Sequence, residues 1–166
     1  MAQLPNSAIS VLNPRVEPGA FGHTGYVEEN DHDPRFGWSS VPSTLSFRNV
    51  PADVAACRRF VSRVLRGCPD ETVNRAVLLT SELVSNAIIH GTSSGELAVD
   101  RTEGRLRLAV TDRSQKVPTM MSHGPQDAHG RGLAIVDALA DQWGVDLLDS
   151  GKIVWATLED PQLHTV

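Results

Sequence analysis

The sequence is organised around one stretch, Leu78-Leu79-Thr80-Ser81-Glu82-Leu83-Val84-Ser85-Asn86-Ala87-Ile88-Ile89-His90-Gly91. Its apolar residues surround nearly the whole axis of a helix, and a helix of that kind is normally buried in a core. The glycine at its end is a common stop signal. Glu82, Asn86 and His90 nevertheless form a polar stripe, because they are spaced four residues apart. A buried carboxylate without a partner is costly, so the stripe predicts a cation, water or ligand beside it.

The length and charge of the chain exclude several classes of protein. Its 166 residues are enough for one domain with a hydrophobic core. The net charge of −5 argues against a generic nucleic-acid binder, because phosphate recognition usually uses a basic surface. No apolar run reaches the roughly 18 to 20 residues that cross a bilayer, and no secretory signal is visible. We therefore expect a cytoplasmic protein that contacts neither membrane nor nucleic acid directly.

The first part of the chain has the composition of a disordered tail. Residues 1–42 contain half of all the prolines and show no helical or strand period. The acidic residues 28–33 add to this composition. Tyr26, Phe36 and Trp38 are exceptions, and the sequence leaves open whether they dock on the domain, on a partner or on nothing.

From residue 43 onward, the apolar pattern predicts one folded domain. The order is a strand, two helices, two strands, a long loop, a helix and two strands. This order predicts an α/β two-layer sandwich, in which helices cover one face of a mixed, mainly antiparallel sheet. We divide the chain into a disordered tail of residues 1–42, a domain of residues 43–160 and a tail of residues 161–166.

The first predicted helix has a basic face, which is either solvated or a docking surface for an acidic partner. The sequence leaves both interpretations open. The basic residues in question are Arg58, Arg59, Arg63 and Arg66.

A carboxylate ends one of the predicted strands. Leu106, Leu108 and Val110 alternate with other residues, and Asp112 follows in the same phase. Asp112 should therefore point to the buried face at the end of the strand, where a carboxylate again needs a partner.

A long irregular segment then leads into the last helix. Residues 114–129 form a loop that is too long for a plain connection, and such loops are often lids or binding loops. Gly130-Arg131-Gly132 follows and opens a helix over residues 133–140. The free N–H groups of a glycine-rich helix start predict an anion site.

Taken in order, these features resemble a known family. The combination Glu82-x-x-x-Asn86, then Asp112 after a strand, then Gly130-x-Gly132-Leu133 at a helix start resembles the GHKL superfamily of ATP-binding domains and its Bergerat-type fold. The resemblance covers roughly residues 43–160. We expect no phosphoacceptor segment before the domain, so it is most similar to the small actinobacterial serine/threonine kinases that act as anti-sigma factors.

The resemblance implies a role for each motif residue. Asn86 would ligate Mg²⁺ through its side-chain oxygen, and Glu82 would be the general base. Asp112 would accept a hydrogen bond from the adenine amino group. His90 either lines the same pocket or has a core or capping role. The implied ATP-binding set is Asn86, His90, Asp112, Gly130, Arg131, Gly132 and Leu133.

The sequence departs from the family pattern in three places. Residues 113–116, after Asp112, lack the two glycines that are common in the family. Ala128 and His129 stand where the well-known serine kinases have an arginine for the γ-phosphate. Ile153 takes the place of a threonine in the final strand that helps to hold adenine through water. ATP binding is therefore better supported than phosphotransfer.

The implied function is that of an ATP- and Mg²⁺-dependent protein kinase. It would phosphorylate an anti-sigma-factor antagonist on serine or threonine, and would sequester a sigma factor to regulate transcription. The alternative is a non-catalytic module that binds protein partners and has kept the fold. Relatives of this type often form dimers, so a homodimer stays open. A zinc hydrolase is disfavoured, because neither His-Glu-x-x-His nor a Cys-His zinc spacing occurs.

Overall fold

The computed structural model describes residues 10–12, 42–91, 94–102, 104–114, 116 and 132–163. In chain order, the elements are β1 (Ser10–Leu12), β2 (Ser43–Phe47), α1 (Ala52–Val64), α2 (Asp70–His90), β3 (Gly95–Thr102), β4 (Arg105–Asp112), α3 (Gly132–Leu139), β5 (Gln142–Leu148) and β6 (Gly151–Glu159). From β2 onward, this is the order that the apolar pattern predicts.

The strands form one sheet in the order β1-β5-β6-β4-β3-β2, and every pairing among them is antiparallel. Alternate residues of the strands pack against the helices in one core, which confirms the predicted two-layer α/β sandwich. The core includes Leu79, Leu83 and Val84 of α2 against Leu106, Leu108, Val110, Val154, Ala156 and Leu158 of the sheet. Among the described residues, no helix is long and apolar enough to cross a membrane.

Strand β1 departs from the prediction that residues 1–42 contain no strand. Its three residues pair with β5, and Ser10 lies opposite Asp146. Three residues are too few for an alternating pattern to show in the sequence, whereas the edge of β5 supplies backbone groups for pairing. Residues 1–9 and 13–41 lie outside the described residues, so the division into tail and domain stays a prediction.

Helix α1 has a polar contact at its first turn and an apolar side in the core. Its first turn holds Asp53, whose carboxylate accepts hydrogen bonds from the backbone N–H of Arg48 at 2.8 Å and from its guanidinium at 3.0 Å. Cys57 and Val61 are fully buried beneath it. The arginines lie on the outer side, where they line a shallow groove with Ala55 and Ser62: Arg58, Arg59, Arg63 and Arg66. A docking role for this surface stays a prediction.

Helix α2 lies across the sheet between α1 and α3, and one of its sides is open. Its buried residues are Thr72, Ala76, Leu79, Thr80, Leu83, Val84 and Ala87. The expectation of burial on almost every side is wrong, because Leu78 is 43% exposed and Ile89 is 60% exposed. The sheet and the two neighbouring helices cover only three sides of the axis. Gly91 ends the helix as predicted, in an extended conformation.

Candidate functional site

Helix α3 begins directly against the polar stripe of α2. A Cβ atom placed on Gly132 would lie 2.9 Å from Oε2 of Glu82 and 3.2 Å from Oδ1 of Asn86. Both distances are shorter than ordinary van der Waals contact, so a residue with a side chain would have to push these groups away. The structure therefore brings together three of the predicted site residues, Glu82, Asn86 and Gly132. In the sequence, Gly132 is 50 positions from Glu82 and 46 positions from Asn86.

The opposite end of α3 is fixed by polar contacts. The guanidinium of Arg75, on α2, donates to the carbonyl oxygen of Leu139 at 2.6 Å and to the carboxylate of Asp141 at 3.2 Å. A cation is favourable at the C-terminal end of a helix, where the carbonyl groups lack intrahelical partners. The indole N–H of Trp143 donates to Asp137 at 3.0 Å and joins α3 to β5. These contacts hold the start of α3 over the polar stripe.

The stripe itself contains groups that are not fully satisfied. The Nδ2 atom of Asn86 is buried, and it has no hydrogen-bond partner in the described part of the chain. A buried amide in that condition is the kind of group that a ligand or an ordered water completes. Burial raises the pKa of Glu82 above its ordinary value, because the charged carboxylate loses hydration. The stripe can therefore accept a proton at Glu82 and donate a hydrogen bond to a ligand from Asn86.

Asp112 ends β4 as a buried carboxylate with a partner, as the sequence predicts. Asp112 is only 3% exposed. Oδ1 accepts hydrogen bonds from Nζ of Lys152 at 2.8 Å and from the backbone N–H of Ser114 at 2.7 Å. Oδ2 is buried without a partner among the described residues. One acceptor of this carboxylate is therefore left for a further donor.

Lys152 is a site residue that sequence analysis missed. The β4–β6 register places it opposite Asp112 and places Ile153 opposite Thr111, so Ile153 lies on the other face of the sheet. The position that faces Asp112 in the final strand therefore belongs to Lys152, and the correspondence of Ile153 with the family's threonine stays a prediction. The sequence did indicate that Lys152 lies on the core face of the strand, because it alternates in phase with the core residues Val154 and Ala156.

The end of α2 lies beside Asp112. A Cβ atom on Gly91 would be 3.8 Å from Cβ of Asp112. The side-chain amide of Asn49 donates to the carbonyl oxygen of Gly91 at 3.1 Å and ties this end to the loop before α1. The C-terminal half of α2 thus has two polar neighbours, which are the start of α3 beside Glu82 and Asn86 and the end of β4 beside Gly91.

The remaining predicted site residues have different outcomes. His90 is exposed at the end of α2, and its role stays a prediction. Leu133 is 5% exposed and packs in the core, so only its backbone is available to a ligand. Gly130 and Arg131 lie outside the described residues, as does the predicted lid at residues 114–129 apart from positions 114 and 116.

Comparison with known proteins identifies the type of domain. The model of the histidine kinase-like ATPase domain matches residues 47–158, which is more than half of the chain. The chain belongs to this family. An uncharacterized protein from Streptomyces coelicolor is 44% identical to it over 45 residues, which are 26% of this chain and 43% of that protein. The histidine kinase-like ATPase domain described here therefore matches less than half the length of this curated relative.

A solved structure is also similar to this histidine kinase-like ATPase domain. It is the histidine kinase domain of a blue-light activated histidine kinase from Erythrobacter litoralis, with 24% sequence identity and a TM-score of 0.43. The match covers 66% of this chain and 60% of that chain.

The buried ion pair gives a prediction about stability. Lys152→Met leaves the carboxylate of Asp112 buried without a counter-ion, which should lower the free energy of unfolding by about 3 to 5 kcal/mol. The double variant Asp112→Asn/Lys152→Met removes both charges and should lose much less. Urea unfolding of the two single variants and the double variant measures the coupling.

Arg105→Met is the control for this cycle, because it breaks an exposed pair with Glu159 and should cost at most about 1 kcal/mol. Additive effects at Asp112 and Lys152 would show that the two side chains do not stabilise each other.

The raised pKa of Glu82 gives a prediction about pH. A raised carboxyl pKa means that the folded state holds its proton to higher pH than the unfolded state. The free-energy cost of burying the charged carboxylate therefore reaches its full value only above the raised pKa. Glu82→Gln should therefore increase the free energy of unfolding near neutral pH. Because Glu82 is only half-buried, the gain should stay below about 1 kcal/mol. It should vanish as the pH falls below the ordinary value of 4.5. Unfolding of both proteins across this range measures it, and a gain that grows on acidification would contradict the assignment.

Proposed function

We propose that this domain is a protein kinase that binds ATP with Mg²⁺ and phosphorylates a protein partner on serine or threonine. The partner would be an anti-sigma-factor antagonist, and the unmodified domain would sequester a sigma factor in the cytoplasm to regulate transcription. The observation that carries the proposal is the approach of Gly132 to Glu82 and Asn86, where the buried Nδ2 atom of Asn86 has no partner among the described residues.

The polar groups along the C-terminal half of α2 fit a magnesium nucleotide. An amide oxygen is a hard ligand of the type that Mg²⁺ accepts, and Mg²⁺ is commonly held by few protein ligands together with phosphate oxygens. The start of α3 presents backbone N–H groups at its positive end, and an anion is favoured there. The Oδ2 atom of Asp112, which has no partner among the described residues, can accept a hydrogen bond from the adenine amino group. Each part of the nucleotide thus has a chemically matched group.

The residues of the chain divide the work of phosphoryl transfer between them. When bound, Mg²⁺ neutralises phosphate charge and makes the γ-phosphorus open to attack. Asn86 would hold the ion through its side-chain oxygen, and the backbone N–H groups of Gly132 and Leu133 would hold the phosphates. Glu82 would take the proton of the attacking hydroxyl group. A raised pKa suits this role, because a general base works best when its pKa lies near the operating pH.

The second candidate is a non-catalytic module that binds protein partners. The observation that favours it is the pairing of Asp112 with Lys152, because the carboxylate already has a counter-ion and the fold does not depend on a nucleotide to neutralise it. In this case the domain would hold its partner and transfer nothing. A homodimer is part of either proposal.

Nucleotide binding is tested by calorimetric titration of ATP with Mg²⁺. The wild-type protein should bind, and Asn86→Ala should weaken binding at least about tenfold, because it removes the ligand of the cation. Asn74→Ala is the matched control, since Asn74 is exposed on the same helix. Equal affinity in all three proteins would refute the site, and no binding by the wild type would favour a module that has lost its nucleotide.

Phosphotransfer is tested separately with Glu82→Gln and radiolabelled ATP. This variant should bind ATP as the wild type does, but should phosphorylate an antagonist about 10² to 10⁴ times more slowly, because the general base is lost. Glu71→Gln, at an exposed position of α2, is the control. Unchanged transfer by Glu82→Gln would exclude Glu82 as the base. Stable partner binding with no transfer by the wild type would establish the second candidate.

A further inference from the structure

Lys152 carries an ammonium proton that has no acceptor in the described part of the chain. An ammonium group has three protons. Two of them are used, because Nζ donates to Oδ1 of Asp112 at 2.8 Å and to the carbonyl oxygen of Ser114 at 3.0 Å. The side chain of Lys152 is only 4% exposed, so bulk water barely reaches the third proton. A buried charged donor is costly until a further acceptor completes its hydrogen bonds.

An acceptor in the same condition belongs to the partner of the lysine. Oδ2 of Asp112 is buried without a partner among the described residues, and it shares its carbon atom with Oδ1, which accepts from Lys152. The ion pair therefore offers a ligand one acceptor with one donor next to it. The order of the two is fixed, because a carboxylate only accepts, an ammonium group only donates, and both side chains are buried. The pair thus fits a ligand edge that carries its donor and acceptor in the matching order.

We propose that Lys152 donates a hydrogen bond to N1 of adenine and thereby selects adenine over 6-oxopurine bases. This inference rests on the nucleotide site proposed above, in which Asp112 accepts from the 6-amino group. The amino group of adenine is a donor and the neighbouring N1 atom is an acceptor, which is the order that Oδ2 and Nζ require. Guanine and hypoxanthine carry an acceptor at O6 and a donor at N1. In the same pose, O6 would face the carboxylate and N1–H would face the ammonium group.

The lysine makes this selection stricter than the carboxylate alone. A water molecule in the place of Nζ could donate to N1 of adenine or accept from N1–H of a 6-oxopurine, because water has both kinds of group. The ammonium group of Lys152 can only donate. A site rejects an analogue strongly when the analogue leaves buried polar groups of the site unpaired. Lys152 is therefore a specificity-determining residue, separate from Glu82 and Asn86.

The hydrogen bond to N1 is tested with 1-deaza-ATP, in which a C–H group replaces N1. Calorimetric titration with Mg²⁺ compares ATP and 1-deaza-ATP in the wild type and in Lys152→Met. The wild type should bind 1-deaza-ATP at least about tenfold more weakly than ATP. Lys152→Met should bind both nucleotides equally well, because methionine has no donor. Arg105→Met, which breaks an exposed ion pair, is the control and should keep the wild-type difference.

The selection against 6-oxopurines is tested with ITP, which has the 6-oxo group and lacks the 2-amino group of GTP. The wild type should bind ITP at least about a hundredfold more weakly than ATP. Lys152→Gln should narrow this difference at least about tenfold, because a side-chain amide can present either a donor or an acceptor. This variant also keeps the inference open to refutation if Lys152→Met fails to fold.

The outcomes separate this inference from the proposed function. Equal wild-type affinity for ATP and 1-deaza-ATP, with binding lost in Asn86→Ala, would overturn the inference and leave the ATP site intact. Weakening of both nucleotides by the same factor in Lys152→Met would show that the lysine has only a structural role. An unchanged ratio of ATP to ITP affinity in Lys152→Gln would exclude the lysine as the selecting group. Binding of no nucleotide by the wild type would overturn both proposals.

Discussion

The position of the candidate site depends on which sides of α2 are buried and which are polar. One side is buried against β4 and β6, while an adjacent side carries Glu82 and Asn86 and has to stay partly polar. Gly132 makes these requirements compatible, because only a residue without a side chain lets α3 begin so close to the polar stripe. Arg75 then fixes the other end of α3 on the same helix. The short helix α3 is thus attached to α2 at both ends.

The β4–β6 pairing supplies the second constraint. Asp112 and Lys152 neutralise each other on the helix-covered face of the sheet. A slip of one residue would turn Lys152 to the opposite face and leave the carboxylate buried without its cation. The ion pair therefore also specifies the register of the two strands. Since the strands carry much of the core, the same contact helps to fix how α2 sits above the sheet.

The periodic spacing of apolar residues predicted every element from β2 to β6, because each element is long enough to show a pattern. This spacing could not predict β1, whose pairing comes from the edge of a neighbouring strand. It also could not predict the exposure of Leu78 and Ile89, because it shows which residues are apolar and not which parts of the fold cover them. The grouping of Glu82, Asn86 and Gly132 came from the order of the motifs. Lys152 was overlooked although its phase in β6 marked it as buried.

The position of β6 has a consequence for the newly made chain. It lies inside the sheet, between β5 and β4, yet it is the last described strand to be synthesised. Its contact with β4 joins residues 40 positions apart, Asp112 and Lys152. On the ribosome, β4 must therefore wait with one edge unpaired until β6 emerges, and unpaired strand edges invite association with other chains. A nascent chain that stalls before this strand would expose that edge to chaperones and to its neighbours on the polysome.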